Sequence, residues 1–307
     1  MKVYLDGQIV DDSDARLSVF DASIQHGVGL FETVRAYNGR PFRCDAHMER
    51  LVRSAEQLGL GEKLRPSPLC EAVELTLQKN GMSDARVRLT LTGGNLSLLG
   101  AAQNKKQPRL QPSIFISATE PTVYPESFFT DGVSVVIADP KANPFDPLGG
   151  HKTVNYWSRL NALAAAAQGG AGEALWFTVT NHLCGGCVSN AFIVKSGQLH
   201  TPIARGQEPQ GAIPSPVLPG VIRAAVIEVG GKLNIPVVQR MLTINDVLEA
   251  DELFLTNSSW LVLPVAKVEK ESIAGGKTGE VTKQIYEELL KLIASECGAA
   301  TAGAVSE

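Results

Sequence analysis

The 307 residues are 44% hydrophobic and 20% charged, the mix of a globular chain long enough for two domains of ordinary size. A net charge of −4 gives no basis for nucleic acid or an anionic membrane as partner, and leaves a small molecule as the expected ligand. No apolar run has the length of a membrane span or the flanks of a signal peptide, so the expected compartment is the cytoplasm, and the odd count of five cysteines argues against a disulfide framework.

Residues 2–10 alternate around the turn Asp6-Gly7 and read as a hairpin. A loop from Ser18 to Asp21 leads to Gly27–Arg35, whose β-branched and aromatic alternation reads as a strand entered through glycines. After the turn Asn38-Gly39, a helix with Asp45 as its N-cap runs through Arg50 and Leu58, and a second spans about 67–81. Strands at 86–92 and 113–117 flank a polar loop, which makes residues 1–118 a smaller α+β domain. Prolines 121 and 125 mark a linker at 119–127. Strands at 133–138, 173–179, 191–195, 235–238 and 252–255 then alternate with helices near 155–167, 220–233, 244–249 and 278–296, an α/β pattern over a larger domain at 128–296. The Ala- and Gly-rich tail, 297–307, is expected to fray.

Chemistry is concentrated in a few places. Lys152 follows Pro147-Leu148-Gly149-Gly150, a turn that brings the chain in tightly ahead of a helical run. A lysine amine does covalent work when it is held, uncharged, against a carbonyl. Leu218-Pro219-Gly220-Val221-Ile222 opens an apolar helix, and free N–H groups at a helix start attract anions. Thr256-Asn257-Ser258-Ser259 is a hydroxyl-rich loop at the carboxyl end of a strand, where ligands of α/β sheets bind. A lysine and a phosphate cradle, with Arg50, are what pyridoxal phosphate needs. Cys184-Gly185-Gly186-Cys187 has redox or metal form, but no second such pair and no thioredoxin-like unit accompany it, so no metal is expected.

Taken in order, these segments resemble the class IV pyridoxal-phosphate enzymes, which include branched-chain and D-amino-acid aminotransferases and aminodeoxychorismate lyases. The matching elements are Gly27–Arg35, Asp45–Leu51, Lys152–Tyr156, Val188–Phe192, Leu218–Arg223 and Thr256–Val265. The resemblance implies a two-domain fold with the cofactor at the domain junction, and a homodimer. It makes Lys152 the Schiff-base lysine and catalytic base, and Arg50 the partner of the phosphate. Val221 and Ile222 N–H groups and the Ser258 hydroxyl would complete the cradle, Leu218 would pack on the ring, and Tyr156 or Asn155 would bond its phenolic oxygen. Phe31, Arg88 and Ser259 would face the substrate.

One departure stands out. The family places a glutamate against the ring nitrogen four positions before the serine of Ser189-Asn190, and here that position is Gly185, with His182 or water as the replacements in view. The stretch 203–216 is also longer than the family's, and reads as a lid or interface loop. Three readings follow: an aminotransferase on a small amino acid, of branched-chain type first; a lyase that releases pyruvate; and a pyridoxal-phosphate-binding protein with weakened catalysis.

Overall fold

Leu30, Val34 and Ala36, on one face of Gly29–Tyr37 and interrupted by Glu32, make that segment the backbone of the first of two units in a computed structural model that describes residues 1–61, 63–95 and 112–298. The first unit comprises Met1–Thr122, Lys152–Asn155 and a short piece beginning at Glu296; the second comprises Val123–His151 and Tyr156–Ser295. The lysine segment therefore groups with the first unit, whereas the sequence reading placed it inside one domain at 128–296. The cause is local: Phe31 N–H donates to Lys152 O at 2.9 Å and Val154 N–H to Gly29 O at 3.0 Å, so residues 152–154 form an added edge on the strand.

The first unit holds β1 (Lys2–Leu5), β2 (Gln8–Asp11), β3 (Gly29–Tyr37), β4 (Arg40–Pro41), β5 (Ala85–Thr92) and β6 (Ile114–Thr119), in the antiparallel order β2-β1-β6-β5-β3-β4. One face carries Leu30, Val34, Ala36, Val87, Leu89, Leu91, Ile116 and Ala118, and packs on α2 (Cys44–Gln57) and α3 (Pro66–Asn80). A short helix not anticipated from the sequence, α1 (Ala22–His26), is capped by the Asp21 carboxylate accepting from Ser23 N–H at 2.7 Å. The N-cap of α2 is Arg43 in the left-handed region and not Asp45. Asp45 lies in the first turn, where a carboxylate still complements the helix dipole, and Arg43 is held by a forked pair with Glu296. Most of the polar loop expected between β5 and β6, and the tail beyond residue 298, fall outside the described residues.

The second unit is built on β7 (Val133–Ile137), β8 (Glu173–Phe177), β9 (Leu183–Gly186), β10 (Asn190–Lys195), β11 (Gln198–Thr201), β12 (Val237–Gln239), β13 (Glu252–Asn257), β14 (Leu261–Val268) and β15 (Glu271–Ser272). The order is β12-β11-β10-β13-β14-β7-β8-β9, with β15 beside β14. Helices α4 (Ser127–Thr130), α5 (Trp157–Gln168), α6 (Val221–Lys232), α7 (Ile244–Leu248) and α8 (Glu280–Cys297) accompany the sheet, with a short 3-10 turn at Ala274–Gly276, and the sheet's core strands are apolar on both faces, as a covered sheet requires.

The start of α8 is capped from a distant strand. Glu252 on β13 accepts from Val281 N–H at 3.0 Å, Thr282 N–H at 2.8 Å and the Thr282 hydroxyl at 2.6 Å. Gly279 makes room, because a Cβ there would lie 2.0 Å from the Glu252 carboxyl carbon. Glu252→Ala is expected to lower stability by about 1–2 kcal/mol, read as a shift in the urea unfolding midpoint at unchanged slope.

Candidate active site

Antiparallel register assigns side chains to faces. Phe31 pairs with Thr90 and Thr33 with Arg88, so these four share the face opposite the α2–α3 core. The isolated bridge Leu30–Thr153 puts Lys152 opposite Phe31 on that same face. The lysine Nζ lies 4.5 Å from the Phe31 ring centroid and the Arg88 Cζ lies 3.8 Å from it. An amine and a guanidinium thus meet on one 5%-exposed aromatic ring. The structure brings together Lys152, Phe31 and Arg88, three of the residues singled out from sequence.

Arg50 is on the other face. Its Nε donates to Glu32 Oε1 at 2.8 Å and its Nη2 to Oε2 at 2.5 Å, while His47 Nδ1 is 2.9 Å from the same carboxylate. Glu32 and His47 are both 1% exposed. Neither was singled out in the sequence. The signal was there: Glu32 occupies an inward position of an otherwise apolar strand face, and His47 and Arg50 stand three apart on one helix. Burial opposes ionisation of Glu32, but Arg50 and His47 beside it hold its carboxyl down at about 2, from 4.5. Burial and the neighbouring Arg50 and Lys152 push His47 below 6.5, against the pull of Glu32, so it is the neutral form that is favoured.

Both shifts act in the same direction on stability. An unfolded chain binds protons at His47 below about pH 6.5 and at Glu32 below about 4.5, whereas the folded chain resists both. Stability is therefore expected to be fully present above pH 6.5, to decline first as His47 would protonate, and to fall by a further amount on the order of 3 kcal/mol between pH 4.5 and 2 as Glu32 loses its charge. Urea midpoints measured from pH 7 to 3 check the decline, and Glu32→Gln is expected to flatten its lower part.

In the second unit, Asn190 on β10 organises the anion-site candidate. It pairs with Thr256 across β13, and its Nδ2 donates to Leu218 O at 2.8 Å, which holds the Leu218-Pro219-Gly220 turn at the same sheet end as the 256–259 loop. A Cβ on Gly220 would come within 1.9 Å of Asn190 Oδ1, so only glycine fits. Gly220 is the extended N-cap of α6, which leaves Val221 and Ile222 in its first turn. The Asn257 carboxamide accepts from Ser259 N–H at 2.8 Å and Trp260 N–H at 3.1 Å, fixing the loop that carries Ser258. Thr256 Oγ1 is buried without a hydrogen-bond partner among the described residues. N–H groups at a helix start, hydroxyls and an orphaned buried oxygen fit a phosphate. Tyr156 forms the N-cap of α5, with the Arg159 guanidinium carbon 5.8 Å from its ring centroid, and Asn155 approaches Gly27. The 203–216 stretch closes on the turn before the lysine: Arg205 donates to Gly149 O at 2.7 Å, and a Cβ on Gly150, at φ +76°, would lie 2.7 Å from Ser215 O.

Cys184, Gly185 and Gly186 lie on strand β9, and Cys187 follows directly after its end. The two thiols are free and buried, and burial pushes both up to about 12, which disfavours the thiolate needed for redox exchange or metal binding. Gly185 has φ +135°, and a Cβ there would meet Ser189 O at 2.5 Å, so this backbone does not accept a glutamate. A carboxylate distant in sequence does stand nearby in space. Glu173, on the neighbouring strand, is fully buried and accepts from Ala174, Cys187 and Val188 N–H at 2.8–3.0 Å and from the Ser189 hydroxyl at 2.9 Å. It fills the space beside Gly186, whose Cβ would be 2.5 Å from Glu173 Oε1. Four donors saturate it, which makes it the anchor of the 187–189 turn. His182 instead bonds the Thr180 hydroxyl at 3.1 Å.

Comparison with known proteins gives a consistent picture. The family model for class IV amino-transferases matches residues 29–268. A putative branched-chain-amino-acid aminotransferase of Methanocaldococcus jannaschii is 33% identical over 288 residues, covering 94% of each chain. A D-alanine aminotransferase of Staphylococcus aureus is 27% identical over 300 residues, 96% of this chain and 98% of its own. Among solved structures, the branched-chain amino acid aminotransferase of Escherichia coli superposes with a TM-score of 0.85 at 26% identity, over 96% of this chain and 95% of that one.

Proposed function

The chain belongs to the class IV aminotransferase family, and from that premise we propose that it transfers an amino group between a small amino acid, of branched-chain type, and a 2-oxo acid, with pyridoxal 5'-phosphate held covalently by Lys152. The observation that carries this reading is the placement of the Lys152 amine and the Arg88 guanidinium on one buried ring, Phe31.

When bound, pyridoxal phosphate supplies an electron-accepting ring that lowers the barrier to losing a proton from the substrate Cα. The protein's share is positioning and proton transfer. Lys152 Nζ takes the Cα proton and gives it back on the other side of the reaction. Phe31 excludes water from the amine, and Arg88 with Ser259 holds the substrate. Arg50, its guanidinium fork taken by Glu32, contributes positive charge toward the phosphate. Val221 and Ile222 N–H groups and the Ser258 hydroxyl complete the cradle; Leu218 packs on the ring, and Tyr156 or Asn155 bonds its phenolic oxygen. With Gly185 lacking a side chain and Glu173 saturated, neither supplies the ring nitrogen with the charge partner common in the family, so a lower rate of proton abstraction is expected than with a glutamate there.

Both relatives described above are named as aminotransferases, which favours transfer over β-elimination. A homodimer and a cytoplasmic location accord with this reading; no described helix is long and apolar enough to cross a membrane. Incubating the holoenzyme with a panel of amino acids and 2-oxoglutarate tests the activity: glutamate is expected to form with leucine, isoleucine or valine. Pyruvate released without any amino acceptor would establish the lyase reading instead.

A further inference from the structure

Arg159 stands in the first turn of α5, just after Tyr156, and its guanidinium reaches the segment that carries Gly185. Nη1 donates to Gly186 O and to Cys187 O, each at 3.1 Å. The N–H groups of the same two peptides, those of Cys187 and Val188, donate to Glu173 at 2.9 and 3.0 Å. In a trans peptide the C=O and the N–H point in opposite directions, and no described peptide is cis, so Arg159 and Glu173 grip this segment from opposite sides. On the acidic side Glu173 is saturated by its four donors, and burial pushes its carboxyl up against their pull. On the basic side Arg159 pairs with no carboxylate among the described residues, and the hydrogens on its Nε and Nη2 have no acceptor there. Its Cζ lies 5.0 Å from the ring centroid of Trp176, the residue opposite Gly185 in register, and 5.8 Å from that of Tyr156. Burial keeps the thiols of Cys184 and Cys187 uncharged, and the charge of Arg159 is felt at Cys184, where it pulls down against that burial.

We propose that Arg159 takes the place of the family's carboxylate at the ring nitrogen of pyridoxal phosphate, donates an N–H to that nitrogen, and so holds it unprotonated. The connectivity of the ring supports this. A single carbon separates its phenolic carbon from its nitrogen, so a side chain between Tyr156, a candidate partner of the phenolic oxygen, and the 185–187 segment meets the nitrogen edge. Hydrogen-bond roles agree. A guanidinium only donates and an unprotonated pyridine nitrogen only accepts, whereas a protonated one would set donor against donor and cation against cation. An unprotonated ring withdraws electrons less strongly, so the slower proton abstraction expected without the glutamate becomes a property set by Arg159. This rests on the reading of Lys152 as the cofactor's covalent anchor.

The test uses the holoenzyme loaded with pyridoxal phosphate enriched in nitrogen-15 at the ring, whose NMR shift separates a protonated from an unprotonated pyridine nitrogen. Spectra of the wild type, Arg159→Gln and Arg159→Lys are compared from about pH 9 down to about pH 6, a range in which arginine keeps its charge. The wild-type nitrogen is expected to stay unprotonated. Arg159→Gln is expected to raise its proton affinity about 10-fold or more, so that the protonated form becomes visible toward the acid end, and Arg159→Lys to keep the wild-type behaviour because the cation is retained. A role limited to holding the two carbonyls would shift the thermal midpoint and leave the titration of the nitrogen unchanged. A wild-type nitrogen protonated at pH 7 overturns the proposal without any variant, and so does the same titration in the wild type and Arg159→Gln. Failure here and failure of the amino-transfer reading are separable. Conversion of amino acids by a holoenzyme whose nitrogen is protonated removes the Arg159 assignment alone. An unprotonated nitrogen that responds to Arg159→Gln, in a protein that converts no amino acid, keeps the assignment and removes the transfer reading.

Discussion

Lys152→Ala is expected to lower kcat/KM for amino transfer by about 10³-fold or more, because it removes both the covalent anchor and the group that moves the Cα proton. The fold is expected to tolerate the change. Lys152 contributes to the sheet through its backbone carbonyl, which accepts from Phe31 N–H at 2.9 Å and is unaffected by truncation. The variant should therefore keep its unfolding midpoint while losing the visible absorbance of the cofactor-loaded protein. Retained turnover, with the midpoint intact, would place the chemistry on another lysine.

The second large effect is structural. Glu32→Ala removes the carboxylate that holds both Arg50 nitrogens and the His47 ring, and leaves a guanidinium in a residue only 8% exposed. Breaking one side of a buried charge pair costs about 3–5 kcal/mol, because the partner keeps its desolvation without its counter-charge. Chemical unfolding of the variant measures that loss. A cost under about 1 kcal/mol would mean that Arg50 finds another partner. If Glu32 orients Arg50 toward the cofactor phosphate, the milder Glu32→Gln is also expected to weaken cofactor retention on dialysis.

Much of the fold could be read along the chain, because the face-alternating strands and the helices each announce themselves over short windows. Strand β3 was legible from Gly27–Arg35 alone, and the segments around Lys152, Leu218 and Thr256 could be singled out as candidates since each is a contiguous motif. What was not legible depends on register. Glu173 and Ser189 are 16 residues apart, yet the β8–β9 pairing that sets Trp176 opposite Gly185 brings the carboxylate to the 187–189 turn. The contact of Arg159 with Gly186 and Cys187 likewise exists only once α5 packs against β8. Glu32 was hidden for a different reason, since a charged residue in a strand is most often a solvated one and its buried partners lie on a separate helix. The cap of α2 was misassigned to Asp45 because the Arg43–Glu296 pair that anchors the true cap spans 253 residues.

The most direct measurement of the central claim is borohydride reduction of the cofactor-loaded protein, followed by proteolysis and mass mapping of the pyridoxyl label. The account predicts that the label is fixed on Lys152, in the peptide that continues Thr153-Val154-Asn155-Tyr156. A label distributed over other lysines, or none on Lys152 at full cofactor occupancy, would contradict it.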